Sequence, residues 1–189
     1  MTLLKKLNLG CGKEVFEGPE WTNVDLTPRE GVVVADLEKA WPFPDDHFDE
    51  LFCAHVLEHM KDPLHFMQEA WRVAKPGALM TVMVPYGSSD NAWEDPTHTR
   101  PYFIGSFYFF SQPAYHSADY GYRGDWDAEL ITVDLPDRLF PDKDPAAVEK
   151  ILRHQRNVVD QMTAELRAVK PIRSPDAAGK HVKVALNFV

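Results

Sequence analysis

Short apolar runs separated by turn residues dominate the first half of the chain. Most of them end at a glycine, a proline or an aspartate. Continuous apolar runs of this length are typical of strands that are buried on both faces of a parallel sheet. They predict five strands, at residues 3–9, 21–26, 32–35, 48–54 and 78–84.

Two segments carry a helical pattern instead. Asp62 and Pro63 supply a cap and a first-turn proline, and apolar residues then recur at helical spacing until the stop signal that begins at Lys75. A second pattern begins at Asp144 and predicts one long amphipathic helix over residues 144–170, inserted between the last two strands. This helix would be a lid over a substrate, a dimer contact or plain packing on the domain, and the pattern leaves these alternatives open.

Strand patterns return at residues 129–135 and 181–189 and predict a sixth and a seventh strand. Strands that alternate with helices favour an α/β fold with a mostly parallel sheet. The length suits one domain, so we expect residues 1–189 to form a single domain. Residues 88–128, between the fifth and sixth strands, are rich in aromatic side chains, and we expect this insertion on the substrate side.

The ends of three neighbouring strands carry residues suited to a nucleoside. Gly10 and Gly12 follow the first strand, where positive φ and the missing Cβ let a ligand lie on the backbone. Asp25 ends the second strand and can accept hydrogen bonds from both hydroxyls of a ribose. Asp36 ends the third strand, where it can receive an adenine amino group while the backbone at Leu37 meets the ring edge. Singly these are ordinary turn residues, but together they predict one adenosine-shaped crevice at the carboxyl edge of the sheet.

The dinucleotide-binding fingerprint matches this region poorly. Val15 stands where its third glycine is expected, and Asp25 follows too soon. The stretch between Gly12 and Trp21 is also too short for a full crossover helix. We therefore expect a ligand that has a ribose but no pyrophosphate.

Several motifs in this order resemble class I S-adenosylmethionine-dependent methyltransferases of the type 11 group. They are Leu7-Asn8-Leu9-Gly10-Cys11-Gly12, Asp25, Asp36, Pro42-Phe43-Pro44-Asp45 with Phe48-Asp49, Val56-Leu57-Glu58-His59, and Arg72-Val73-Ala74-Lys75-Pro76-Gly77. The resemblance extends to about residue 86 and departs from the family in the short segment after Gly12. It implies a Rossmann-like sheet of seven strands with the last one antiparallel, helices on both faces, S-adenosylmethionine as cofactor, and methyl transfer.

On this basis we expect nine residues to contact the cofactor. They are Leu9, Gly10, Cys11, Gly12, Asp25, Leu26, Asp36, Leu37 and His55. Trp41 or Phe43, in the proline-rich loop, would either wall the adenine pocket or anchor the loop to the core.

The segment after the fifth strand emerges on the cofactor side and holds the candidate catalytic residues. His98 is the candidate general base, because its neutral form is available at physiological pH. Asp95 could fix its tautomer, and Arg100 could hold an anionic group of the acceptor. The alternative is a proline-bounded loop whose Asp, Thr and His side chains satisfy one another and the backbone. Part of the aromatic segment must be core, and the rest could form an apolar cavity with polar tips.

The sequence also contains two sets of metal-ligand types. His55, Glu58 and His59 lie close together, but their order is not that of the metalloprotease helix and an organic cofactor is already expected there. Glu94 and Asp95 with His98 are a weaker alternative. We therefore expect no metal ion.

The net charge limits the classes of partner that we expect, and the cysteine content indicates the cellular compartment. The chain has 20 Lys and Arg against 29 Asp and Glu, a net charge of −9, which argues against a nucleic-acid partner. The two cysteines favour a reducing cytoplasm over a disulfide, and neither a signal peptide nor an apolar run of membrane-spanning length appears. We expect methyl transfer to oxygen or nitrogen of a small molecule. A protein or RNA acceptor and a catalytically silent cofactor-binding module remain as alternatives.

Overall fold

Eight strands form one sheet in the computed structural model of the protein, which describes residues 3–115, 119–140, 144–179 and 182–189. The strands are β1 (Lys6–Leu9), β2 (Trp21–Asp25), β3 (Val32–Val34), β4 (Phe48–Ala54), β5 (Ala74–Pro85), β6 (Trp126–Leu135), β7 (Gln161–Ala168) and β8 (Lys183–Phe188). Their order in space is β3-β2-β1-β4-β5-β7-β6-β8. Every pairing is parallel except those of β7 with β5 and β6. The predicted class, a mostly parallel Rossmann-like α/β sheet, is confirmed.

The helices are α1 (Pro63–Val73), α2 (Asn91–Glu94), α3 (Gln112–Tyr115) and α4 (Pro145–His154). The side chain of Asp62 caps α1 as predicted, accepting a hydrogen bond of 2.9 Å from the backbone N–H of His65. The helix ends at Val73 because β5 begins directly at Ala74, earlier than predicted. In the described part of the chain, no helix has the length and apolarity to cross a membrane.

The predicted long helix over residues 144–170 is wrong. Its start at Asp144 is correct, since this side chain accepts from two backbone N–H groups of α4, but the helix ends at His154. Asn157 then adopts a left-handed conformation with φ +59° and turns the chain into β7. Burial in β7 alternates strictly from residue to residue, which is the period of a strand between two neighbours. Its apolar residues also satisfy helical spacing, and tertiary pairing decided between the two.

The segment predicted as the seventh and antiparallel strand forms β8 instead. It pairs parallel with β6 at the edge of the sheet, from Leu130 opposite Lys183 to Leu135 opposite Phe188. The antiparallel strand of the sheet is β7, and β8 is an eighth strand. His181, in the predicted strand, lies outside the described residues.

The short connection between β1 and β2 contains no helix in its described residues 10–20 and is held by buried amides instead. Asn8 donates to the backbone carbonyl of Glu14 and to the side chain of Asn23, at 2.8 and 2.9 Å. Asn23 in turn pairs with both backbone groups of Phe16. These bonds replace the missing helix and fix the chain close to the sheet just beyond Gly12.

Candidate functional site

A cavity of about 270 Å³, here called the cofactor cavity, lies at the carboxyl ends of β1 to β4. Six of the nine predicted cofactor residues line it, namely Gly10, Asp25, Leu26, Asp36, Leu37 and His55. The ends of parallel strands therefore meet where the sequence pattern placed the nucleoside. The lining also includes Ala35, Glu38, Val56, His59 and Met60, which sequence reasoning did not assign to the cofactor.

The other three predicted residues support this cavity without lining it. Leu9 is fully buried in the core, and Cys11 is also buried, which together with nearby Asp25 raises the pKa of its thiol. The backbone N–H of Gly12 donates a hydrogen bond of 2.8 Å to the carboxylate of Asp25. Gly12 therefore contributes to the cavity by holding the carboxylate of Asp25 in place.

The backbone at the end of β1 leaves room for a ligand, which is the fit expected for a nucleoside cofactor. Gly10 and Gly12 both have positive φ, +60° and +53°. A Cβ added to Gly10 would approach Cγ2 of Val56 to 2.4 Å, whereas around Gly12 the space is open. Side chains at these positions would therefore be strained or would fill the cradle.

Two of the acidic groups that line the cofactor cavity, Asp25 and Asp36, are held ionised. Burial opposes the charge of Asp25, but hydrogen bonds from the backbone N–H groups of Thr27 and Gly12 outweigh it and lower its pKa. The backbone N–H of Glu38 and then the ammonium group of Lys39 lower the pKa of Asp36. Ionised carboxylates only accept hydrogen bonds, which is what ribose hydroxyls and an adenine amino group require.

The proline-rich loop anchors the fold and does not wall this cavity. The indole N–H of Trp41 donates to the carbonyl of Leu37 at 3.2 Å, and its ring packs edge-on against Phe66. Trp41 is 4% exposed, so it belongs to the core. The apolar walls of the cavity come from aliphatic side chains, Val56 and Met60 among them.

A second cavity of about 470 Å³, here called the acceptor cavity, adjoins the first. The two share His55 and His59 as lining residues. The rest of its lining is Glu58, Pro85, Asn91, Glu94, Asp95, His98, Asp160 and Gln161. Four of these residues are acidic, so the lining of the cavity is polar and rich in carboxyl groups.

Hydrogen bonds fix two of the three histidines of the acceptor cavity, His59 and His98, in the same tautomer. Nδ1 of His98 lies 3.2 Å from the carbonyl oxygen of Ala92, which can only accept, so Nδ1 carries the proton. Nδ1 of His59 lies 2.9 Å from the hydroxyl of Thr97, and this hydroxyl donates to Asp95 at 2.6 Å. The hydroxyl therefore accepts from His59, and both rings keep a lone pair on Nε2.

These contacts change the predicted roles of two residues. The backbone N–H of His98 donates to the carbonyl of Asp95 at 3.1 Å, but the carboxylate of Asp95 makes no hydrogen bond with the ring of His98. Ala92 sets the tautomer of that ring, and the carboxylate acts on His59 through Thr97 instead. The hydrogen bonds from Thr97 lower the pKa of Asp95 and keep it a good acceptor. Arg100 is exposed and is not among the residues that line the acceptor cavity.

His55 stands at the junction of the two cavities with an unusual backbone. Its φ is +54°, in the left-handed region that a residue other than glycine seldom adopts. Nδ1 lies 3.3 Å from Oε1 of Glu58, and this hydrogen bond raises the pKa of His55. Backbone strain of this kind is concentrated at functional sites.

Sequence reasoning missed Asp160 and Gln161 because it placed them inside the predicted long helix. The turn that carries them is tied to the loop before α2, since Asp90 is hydrogen-bonded by Arg156 and by Asn157. The signal that could have found them is the strict polar–apolar alternation that starts at Gln161.

The aromatic segment does not form the apolar cavity considered from sequence. Phe107, Phe110, Tyr115 and Tyr122 are buried in the core. Other aromatic side chains of this segment are exposed, such as Phe109. Among the described residues, none of the aromatic side chains lines the acceptor cavity.

Comparisons with known proteins agree with this geometry. Residues 20–82, one third of the chain, match a family model described as a methyltransferase domain. A search of curated proteins finds no match.

Solved structures of the same fold cover most of the chain. A SAM dependent methyltransferase from Archaeoglobus fulgidus is 20% identical, with a TM-score of 0.57 over 87% of this chain and 86% of the other. An S-adenosylmethionine dependent methyltransferase from Mesorhizobium loti is 14% identical, with a TM-score of 0.58 over 87% and 91%. The [4+2]-cyclase SpnF is 15% identical, with a TM-score of 0.55 over 88% and 74%.

The matched family model covers the strand ends that build the cofactor cavity from Asp25 onward. The solved structures share the overall fold that carries this cavity. Residues 20–82 therefore match a methyltransferase domain, and most of the chain has the fold of S-adenosylmethionine-dependent methyltransferases of known structure. These matches imply S-adenosylmethionine as the cofactor.

Proposed function

We propose that the protein methylates an oxygen or nitrogen atom of a small, polar molecule bound in the acceptor cavity. The observation that carries this proposal is the shared wall of the two cavities, which His55 and His59 form. A donor in one cavity and an acceptor in the other would lie next to each other at these two side chains. Proximity of this kind supplies a large part of the rate enhancement of a bimolecular transfer.

For this reaction the protein mainly has to hold the donor and the acceptor next to each other and to supply a base. S-adenosylmethionine would supply a methyl group on a positively charged sulfur, and this sulfur would leave as a neutral thioether when an oxygen or nitrogen atom of the acceptor takes the methyl group. Asp25 and Asp36 would hold the nucleoside, and Nε2 of His98 would take the proton that the acceptor loses. In the neutral ring, the hydrogen bond to Ala92 places the proton on Nδ1 and orients the lone pair of Nε2.

The lining of the acceptor cavity supports one class of acceptor over another. Its volume lies within the range of small-molecule sites, and Glu58, Glu94, Asp95 and Asp160 favour an acceptor that carries an amine. The same carboxylates and the net charge of −9 repel the phosphates of RNA. A small amine or amino alcohol is the acceptor that these charges support best.

A catalytically silent module is the second candidate. It is favoured by the connection between β1 and β2, which has no helix in residues 10–20 to cover the cofactor beyond Gly12. A protein that holds the cofactor without turnover needs the cofactor cavity alone. The two candidates differ in whether the acceptor cavity is used.

Methyl-labelled cofactor incubated with fractionated cell extract tests both candidates. We expect label in the fraction of small molecules, dependent on His98. Label retained on protein or RNA would instead favour a macromolecular acceptor. Cofactor binding in calorimetry without any labelled product would favour the silent module, and absence of binding would reject the proposal altogether.

A further inference from the structure

We propose that Glu58, His59 and His98 bind one divalent transition-metal ion, Zn²⁺ by the type of its ligands, at the boundary of the two cavities. One ligand atom from each of the three residues lies within 4.8 Å of the other two. His59 belongs to the lining of both cavities, and Glu58 and His98 belong to that of the acceptor cavity. The sequence points to two other ligand sets, His55 with Glu58 and His59, and Glu94 and Asp95 with His98, so only the fold brings this combination together.

The carboxyl group of Glu58 provides the first independent sign of a ligand. Its side chain is 2% exposed, and among the described residues its Oε2 has no hydrogen-bond partner. Oε1 faces Nδ1 of His55 at 3.3 Å, so only half of the carboxyl group is satisfied by the protein. A buried polar atom without a partner is costly, and a bound cation would remove this cost.

The two histidines are prepared in the way that metal ligands are. Nδ1 of each ring donates to an oxygen, in His98 to the carbonyl of Ala92 and in His59 to the hydroxyl of Thr97. Nε2 is therefore the available nitrogen in both, and the rings stand edge to face with centroids 4.7 Å apart. Such outer hydrogen bonds orient the imidazoles and increase their basicity. The path from Thr97 continues to the ionised Asp95.

The ligand set indicates the metal and its coordination. Two imidazoles and one carboxylate suit Zn²⁺ and its neighbours in the first transition row better than Mg²⁺ or Ca²⁺, which take oxygen ligands. Three protein ligands leave a fourth position for water or a substrate, as in catalytic zinc sites. In this protein that position would open to the acceptor cavity.

The metal would also change the role of His98, and this part of the inference rests on the proposed function. With the ion bound, Nε2 of His98 is a ligand and no longer takes the proton. A hydroxyl oxygen of the acceptor in the fourth position would lose its proton to solvent because coordination lowers its pKa. An amino alcohol could then bind through its oxygen while the acidic lining receives its amine.

Calorimetric titration of the untagged, chelator-treated full chain with Zn²⁺, without cofactor or acceptor, tests the site. We expect one ion per chain, and visible absorption of the Co²⁺ form that reports nitrogen and oxygen ligands. His98→Ala should abolish stoichiometric binding. Thr97→Val should weaken it by about 10- to 100-fold, because only the outer hydrogen bond to His59 is lost. His154→Ala, an exposed histidine of α4, is the matched control and should bind as the native chain does.

Absence of stoichiometric binding, or equal affinity in the native chain and in His98→Ala, would overturn the proposal. Circular dichroism of each variant checks its fold, and because Glu58 is buried its replacement is not used as the primary test. Methyl transfer is measured separately. Transfer without metal binding rejects the metal site alone, and metal binding without transfer rejects the proposed function alone.

Discussion

The two cavities were assembled in different ways, and the contrast explains what kind of residue each contains. The cofactor cavity is made of strand ends that follow one another along the first third of the chain, with glycine and aspartate at the tips. The acceptor cavity joins residues that are far apart in sequence, from His55 through Asn91 to Gln161. Parallel strands bring their ends to one edge without further help, whereas the acceptor cavity depends on contacts between loops.

The supports of the two cavities differ in the same sense. Under the cofactor side, buried Glu69 accepts from the backbone N–H of Trp41 and pairs with the guanidinium of Arg72. On the acceptor side, Arg156 and Asn157 bind Asp90 at the surface. Buried hydrogen bonds to charged groups contribute more to stability than exposed ones. The cofactor side should therefore be the more rigid half.

The largest expected effect separates chemistry from cofactor binding. His98→Ala should lower turnover by about 10²- to 10⁴-fold, the range for loss of a general base. We expect a loss of the same order if His98 is instead a ligand of the proposed metal ion. Affinity for S-adenosylmethionine should stay the same, since His98 does not line the cofactor cavity. Calorimetry and steady-state kinetics on the same preparation measure both quantities. Unchanged turnover would leave His98 with a structural role only.

A second substitution acts on the other cavity. Asp25→Ala should weaken cofactor binding by about 100-fold, because two charge-assisted hydrogen bonds to the ribose are lost. Asp25 also holds Gly12 and Thr27, so Asp25→Asn, which retains an acceptor oxygen, should give an intermediate loss. Asp176→Ala is an exposed control for charge. Equal affinities of Asp25→Ala and the control would contradict the placement of the ribose.

Stability should depend on the buried support of the cofactor side. Glu69→Gln should lower the free energy of unfolding by about 2 kcal/mol at neutral pH, because the charged acceptor of Arg72 and Trp41 is lost. Chemical denaturation of both proteins gives this difference. An equal stability at neutral pH would show that the pair is energetically neutral.

The pH dependence of that difference has a definite sign. Burial opposes the charge of Glu69, but hydrogen bonds from Arg72 and Trp41 outweigh it, so its pKa in the folded state is lowered. A lowered folded pKa adds stability above the unfolded pKa and loses it as the pH falls through the folded pKa. The gap between native and Glu69→Gln proteins should therefore close in acid. A gap that stays constant down to strong acid would contradict this.

The smallest expected effect concerns the surface tie of the acceptor side. Asp90→Ala should cost less than about 1 kcal/mol in unfolding free energy, as exposed ion pairs generally do. It should nevertheless raise KM for the acceptor several-fold, because the turn that carries Asp160 and Gln161 loses its anchor. Cofactor affinity is the internal control and should not move. A KM equal to that of the native protein would show that the turn holds its position alone.

The strand ends of the cofactor side could be predicted because their determinants are local. Apolar runs and the turn residues after them placed β2, β3 and β4 and put Asp25 and Asp36 at adjacent tips. Asp62 and Pro63 likewise marked the start of α1. Each of these features depends on a few neighbouring residues. Parallel pairing of the strands then brings their ends to one edge of the sheet.

The errors occurred where one pattern satisfies two structures. Residues 161–168 fit a helical spacing and a strand alternation, and only their pairing with β5 on one side and β6 on the other selects the strand. The hydrogen-bond partner of the His98 ring could not be predicted either, because the acceptor is the backbone carbonyl of Ala92. Every residue has such a carbonyl, so the residue type does not indicate which one accepts. The aromatic segment gave no indication of which rings are core and which are exposed.

The amino-acid sequence by itself determined the cofactor half of this protein: strands, tips and the glycines that leave space at Gly10 and Gly12. The tertiary structure alone decided the acceptor half, in which Glu58, His59 and His98 converge and Asp160 enters from a distant turn. The physical reason is the range of the interactions. A few neighbouring residues determine where a strand forms and which side chains stand at its end. A cavity between loops depends instead on packing between segments about a hundred residues apart.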